Sequence, residues 1–325
     1  MPWPKSLAPK KSGFKLRLGA PFSWTASLKR GGVHGISVSS SGLAVACYDG
    51  NVRLFDAQGQ PLYKLLLVKG RSGLPYYLAH SPDGALLAVT CSQTLFVVEV
   101  STGAVLAHHG IVTGDVSSSF CWSPDGQSLL WLTDSALHRW TWSPSPEISS
   151  TAERTELTDR RWYAPRRWPR IVGDKVFFGA ANTHGENGVI CFDWQSGVHL
   201  NTLRLQDGGQ AMVPRLQEHP KGIVAWQPGS APLFWSGGGE APQRALEQVR
   251  GLGQCFPEGL LSREQIDRGW QYAFVLNRMN GERVELFRAE YTSLPWQQGP
   301  EAWVARSAPV EEKPHGHVLE RITLS

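Results

Sequence analysis

Largely apolar residues fall into runs of five to seven along this chain, as at 43–48, 85–91, 128–133, 176–180 and 189–194. Each run is flanked by glycine, proline, serine, asparagine or aspartate. Short apolar runs punctuated by turn residues predict β-strands rather than helices. The punctuation is itself periodic. Ser39-Ser40-Ser41-Gly42, Ser81-Pro82-Asp83-Gly84 and Ser123-Pro124-Asp125-Gly126 place their final glycines 42 residues apart each time.

That period matches a four-stranded blade and is too long for a single helical or leucine-rich unit. In the first unit, 35–38 reads as an inner strand, 43–48 as a second, 51–56 as a third and 61–67 as an outer one. Asp49-Gly50 is expected to turn the hairpin between the second and third through positive φ angles. The second unit repeats this from Tyr76, and the third through 128–133 and 136–142. A fourth fits 169–205, a fifth turns at His219-Pro220-Lys221-Gly222, and a sixth turns at Phe256-Pro257-Glu258-Gly259. Four strands are left over, at 14–18, 24–28, 302–306 and 318–324. The expected fold is therefore all-β: a single β-propeller over 13–325 with seven four-stranded blades, the last closed by N- and C-terminal strands so that no edge is left unpaired. Six blades is the alternative. Residues 1–12, with Pro2, Pro4 and Pro9, read as a flexible basic tail.

Ser-Pro-Asp-Gly, an apolar strand, Asp-Gly, and a strand closing on Phe55-Asp56 (again Phe192-Asp193) resemble the WD-repeat β-propellers. The resemblance covers 32–142 well and the rest loosely. The second and third units close instead on Val98-Glu99 and Trp140-Thr141, and no Gly-His dipeptide stands in the usual place, so it marks the broad propeller class. It implies a protein-interaction platform without catalysis of its own.

Composition fits. Hydrophobic residues at 41% with 18% charge supply a sizeable core, and 14 tryptophans offer large wedges between sheets. Residues 1–30 contain no apolar run long enough for a signal peptide, and nothing approaches the roughly 20 apolar residues that span a bilayer. A soluble, cytoplasmic protein without membrane contact is expected. Cys47, Cys91, Cys121, Cys191 and Cys255 are isolated and odd in number, which favours buried reduced thiols over a disulfide or metal framework.

The stretch 160–170 holds five arginines and three aromatics in eleven residues. Arg160, Arg161, Trp162, Arg166, Arg167, Trp168 and Arg170 are candidate binding residues, placed on the upper rim where one blade connects to the next. Guanidinium planes pair with carboxylates or phosphates, and aromatic rings stack on bases. The plainer alternative is that arginine stems cover tryptophan faces and pair with local acids. Trp168-Pro169-Arg170, Val213-Pro214-Arg215 and Leu74-Pro75-Tyr76-Tyr77 look like one repeated position, which brings Arg215 and Tyr77 into the same candidate site at the channel mouth. The first 48 residues carry seven Lys and Arg and no Asp or Glu, although the whole-chain charge is only +4.

No nucleophile elbow, Walker loop, His-Glu-x-x-His or dinucleotide fingerprint occurs, and neither metal nor cofactor is expected. Asp83 and Asp125 are explained by their turns. The leading expectation is a non-catalytic scaffold that binds an acidic partner surface. Nucleic-acid binding through 160–170 is the second, and a propeller hydrolase or lactonase the third. The sequence leaves the oligomeric state open.

Overall fold

The computed structural model describes residues 16–18, 22–25, 33–47, 49–69, 74–111, 120–133, 136–143, 151–156, 162–163, 169–182, 186–205, 213–219, 221–226, 233–244, 252–256, 259–265, 271–278, 282–290, 296–298, 301–308 and 316–324. Among them every regular element longer than a turn is a strand, and the strands form seven antiparallel sheets. Sheet I runs Val33–Ser39, Gly42–Cys47, Val52–Asp56, Pro61–Leu65. Sheet II is Pro75–His80, Leu86–Cys91, Thr94–Glu99, Val105–Gly110, and sheet III is Phe120–Trp122, Ser128–Leu132, Ala136–Thr141, Thr151–Glu156. Sheet IV contains Lys175–Asn182, Asn187–Asp193 and His199–Leu205, with Trp162–Tyr163 and Arg170–Val172 both paired to the free side of Lys175–Asn182. Sheet V is Arg215–His219, Gly222–Trp226, Leu233–Trp235, Gln243–Arg244, and sheet VI is Leu252–Phe256, Gly259–Gln265, Gln271–Arg278, Arg283–Glu290. Sheet VII joins Trp296–Gln298, Glu301–Ala308 and Gly316–Leu324 to the N-terminal strands Leu16–Leu18 and Phe22–Thr25, which both pair with Gly316–Leu324. The proposed tail, 1–12, lies outside the described residues.

The chain falls into two compact units, one of Met1–Pro75 with Val249–Ser325 and one of Tyr76–Gln248. Within the second, each sheet packs on the next through alternate side chains. Leu129, Trp131 and Trp140 of sheet III face Ala88, Leu95 and Val97 of sheet II. Leu130, Leu132 and Leu137 on its other face meet Val176, Phe178, Ile190 and Phe192 of sheet IV. Phe177, Val189 and Cys191 continue onto Ile223, Ala225 and Trp235 of sheet V. This is the period-2 alternation of strands buried on both faces, and each fully buried Leu or Phe adds roughly 1.5–3 kcal/mol. Polar ties cross the same seams: Trp122 Nε1 donates to the Ala79 carbonyl at 2.8 Å, and Lys175 Nζ donates to the Ser236 carbonyl at 3.2 Å.

The repeated Ser-x-x-Gly turn resolves into two geometries. Ser39 pairs with Gly42, His219 with Gly222 and Phe256 with Gly259, leaving two residues at each hairpin tip. In the Ser-Pro-Asp-Gly copies the hairpin is wider, because Ser81 N–H donates to the Leu86 carbonyl and Ser123 N–H to the Ser128 carbonyl. There Asp83 Oδ1 accepts from Ala85 N–H at 3.1 Å and Asp125 Oδ1 from Gln127 N–H at 3.0 Å, and the serine hydroxyls bond to the same carboxylates. The hydrogen bond from Ser81, followed by that from Ala85, holds the Asp83 carboxyl below its ordinary value. Both aspartates are turn residues, as expected.

The Phe-Asp strand ends have the same kind of local cause. Phe55 and Phe192 are buried, Asp56 Oδ1 accepts from Gln58 and Gln60 N–H, and Asp193 Oδ1 accepts from Gln195 and Ser196 N–H. The expectation for Asp49-Gly50 needs correction. Only Gly50 takes positive φ (+85°), closing a Cys47-to-Gly50 turn, while Asp49 pairs with Arg53. A single left-handed residue after a turn serves the strand twist without asking Asp49 to adopt it.

Cys47, Cys91, Cys121 and Cys191 take part in no disulfide. Burial pushes Cys47 and Cys191 up to about 12, and pushes Cys121 up against the opposing pull of Arg170. Thiolates are the reactive form, so these four should resist alkylation in the folded protein. Intact-mass analysis after iodoacetamide should show no more than about one label natively and about five in denaturant; several rapid native labels would refute this reading.

Candidate functional site

The sequence singles out residues that follow proline at strand entrances, and the structure places two of those entrances on strands of the neighbouring sheets IV and V. Arg170 opens Arg170–Val172 and pairs with Phe177; Arg215 opens Arg215–His219 and pairs with Trp226. These two strands lie against one another. The approach is close because Gly179 of sheet IV abuts the chain just before Arg215: a Cβ there would come within 2.5 Å of the Pro214 carbonyl oxygen. A larger residue at 179 would push the Val213-Pro214 entrance away.

Arg170 keeps 21% of its side-chain surface exposed. Its Nη1 donates to the Pro169 carbonyl at 3.1 Å, and its Nε stands 3.9 Å from Glu218 Oε1, whose side chain is 60% exposed. A solvent-facing pair at that distance contributes at most about 1 kcal/mol. The guanidinium is thus oriented by a backbone carbonyl and only loosely held by a carboxylate. Cys121, on Phe120–Trp122, and Ile171, on Arg170–Val172, pack on the same apolar cluster, and Arg170–Val172 lies against Arg215–His219. The arrangement offers an oriented cation next to an exchangeable anion.

Tyr77 is the third residue of Pro75–His80 in sheet II. Its N–H donates to Thr90 Oγ1 at 3.0 Å, and the residue is partly buried against the apolar cluster between sheets II and III. Its neighbour His80 is held neutral, with burial pushing it down to about 4. Trp162 belongs to a two-residue strand paired with Asn182. Part of the 160–170 stretch is therefore sheet edge, where a connecting loop was expected. Backbone pairing on the free side of Lys175–Asn182 claims it. Arg160, Arg161, Arg166, Arg167 and Trp168 lie outside the described residues. Glu218 is the site member that sequence reasoning missed, and its spacing of three from Arg215 could not have signalled it, because strand positions share a face only at even spacings. Among the described residues no group of three or more His, Cys, Asp or Glu is placed to hold a metal ion.

No protein family matches this chain by sequence, and no curated protein does. At the level of structure it is similar to BamB from Moraxella catarrhalis, a β-propeller, with a TM-score of 0.50 and 13% identity over 89% of this chain and 85% of that one. The likeness, together with the succession of four-stranded antiparallel sheets, establishes a β-propeller-like all-β fold.

Proposed function

We propose that this chain is a seven-bladed, WD-repeat-like propeller that acts in the cytoplasm as a non-catalytic interaction scaffold, its seventh blade being the sheet shared by the two ends of the sequence. Its partner is a protein presenting an acidic segment. The observation that carries this reading is Arg170: a guanidinium fixed by the Pro169 carbonyl, on a strand beside the one Arg215 opens, and matched among the described residues by a loosely placed, exposed Glu218. An acidic side chain from a partner can replace Glu218 with better bidentate geometry. The arginines and aromatics of 160–170 add cationic and stacking groups close to Arg170 in the sequence.

The test replaces Arg166, Arg167 and Arg170 by glutamate together. Binding to immobilised poly-glutamate should fall at least about tenfold while the melting temperature moves by no more than about 2 °C. Undiminished binding removes the proposal. Binding instead to a single-stranded oligonucleotide, weakening steeply as salt rises, would transfer the same residues to nucleic-acid recognition.

A further inference from the structure

Four aromatic rings stack where the outer strand of sheet II meets sheet III. His109, on Val105–Gly110, lies 5.2 Å from Trp140 with the rings 25° apart, and 5.9 Å from Trp131 at 52°. Trp131 is nearly parallel to His138, at 5.2 Å and 7°. Trp131 and His138 are cross-strand partners in sheet III, and the same row continues to Arg154. Trp131 and Trp140 are 3% and 0% exposed, and among the described residues neither indole Nε1 has an acceptor. Ring packing rather than hydrogen bonding therefore sets the geometry. The two imidazoles, each partly exposed, are the members of the stack that can change charge.

The hydrogen bonds fix one of them further. Thr133 Oγ1 spends its single proton on the Ala136 carbonyl at 3.2 Å, which leaves it to accept from His138 Nε2 at 3.1 Å. His138 thus carries its neutral-state proton on Nε2, and Nδ1 is the atom that titrates. The charges facing it are Arg154 and Glu156 from the outer strand of sheet III, themselves paired at 2.8 Å, and His109 from sheet II. His108 stacks on Phe96 of its own sheet, and Arg139 bonds to Glu153 and the Gln195 carbonyl.

One imidazolium on an indole face is a favourable cation–π contact. Two of them across Trp131, beside the Arg154 guanidinium, gather three positive charges against the single carboxylate of Glu156 in a half-desolvated seam. We propose that the His138–Trp131–His109–Trp140 stack is an acid-released clasp, which holds the outer strand of sheet II on sheet III while both imidazoles are neutral and frees that strand when both are protonated. The direction of the effect follows from linkage. Burial holds both histidines below their ordinary value of 6.5, with Arg154 and His109 adding to the effect at His138. The released strand takes up protons from pH 6.5 downward, whereas the stacked form takes them up only lower. The clasp is complete above 6.5 and weakens as the pH falls below it.

Hydrogen–deuterium exchange of the full chain, corrected for intrinsic rates, reads this directly. Amides of 105–110 should exchange at least about tenfold faster near pH 5 than near pH 7.5, while those of 86–91 stay protected. Replacing His109 and His138 together by glutamine should bring that ratio close to one. If the double variant does not fold, His109→Gln alone should convert the two-proton response of Trp fluorescence into a one-proton response. Equal exchange at both pH values overturns the clasp. So does a full acid response in the variants, or its loss in His80→Gln.

Discussion

Gly42→Val is expected to cost the fold more than about 3 kcal/mol, far beyond the usual surface substitution. Gly42 begins the second strand of sheet I with φ +146°, and a Cβ there would lie 2.0 Å from the Phe55 carbonyl oxygen and 3.0 Å from Asp56 Cα. Both are backbone atoms of the third strand, and neither can move aside without breaking the ladder. Gly222 repeats the arrangement in sheet V, with φ +154° and the Trp235 carbonyl oxygen 2.3 Å from where a Cβ would lie. Gly222→Val should therefore be similarly damaging, whereas Gly110→Ala, with nothing within 4 Å, should be close to neutral. Urea denaturation of the three variants provides the comparison. A loss below about 1 kcal/mol for Gly42→Val would show that the hairpin yields where its geometry says it cannot.

Asp49→Ala should be nearly as severe, at about 3 kcal/mol. The Asp49 side chain is only 3% exposed and that of Arg53 13%, and they form a two-pronged pair in which Arg53 Nη1 donates to Asp49 Oδ1 at 2.9 Å. Asp49 Oδ1 also accepts from Asn51 N–H at 3.1 Å. Removing the carboxylate alone strands a guanidinium in a poorly hydrated site. Removing both charges with Asp49→Ala and Arg53→Met should recover most of the loss, because two desolvation penalties vanish together. The pair also gives an acid signature. Burial by itself would raise the Asp49 carboxyl, but Arg53 and Asn51 outweigh it and hold it below 3.8. Its stabilisation is present above the unfolded value near 4 and disappears as the pH falls through the lower folded value. In Asp49→Asn, the stability lost in that acid range should be smaller; an unchanged acid profile would mean the pair is solvated.

The 42-residue spacing was enough to recognise the recurring sheet, because the turns that carry it are made by local hydrogen bonds: Ser81 to Leu86, Asp83 to Ala85. What stayed hidden were strands defined by a neighbour. Thr151–Glu156 carries Glu153, Arg154 and Glu156 and has no apolar alternation, yet it pairs along its whole length with Ala136–Thr141. Charged outer strands of this kind are suited to a sheet edge, where they discourage unwanted pairing. Gln243–Arg244 and Trp296–Gln298 are too short to show a period of two. The candidate site was legible in the same partial way. Proline before Arg170 and Arg215 marked two strand starts, since proline fixes φ and donates no hydrogen bond. Their registers differ: Arg170 stands two residues before the closing pair Val172–Lys175 and Arg215 four before His219–Gly222. Tyr77, from the third copy of the motif, packs against the apolar cluster between sheets II and III. Burial between sheets is a property of pairs of repeats, and a single repeat does not announce it.

The register of sheet VII has a consequence for how the protein is made. Leu16 pairs with Leu324 and Phe22 with Leu319, so nearly the whole polypeptide separates partners in one ladder. Bringing such distant segments together costs on the order of 5 kcal/mol in loop-closure entropy if the intervening chain is unfolded, and far less once earlier sheets have already condensed. Synthesis must reach 316–324 before the first strands find their mates. Until then a nascent chain carries two unsatisfied strands, Leu16–Leu18 and Phe22–Thr25, which defines the interval in which a chaperone would have something to hold.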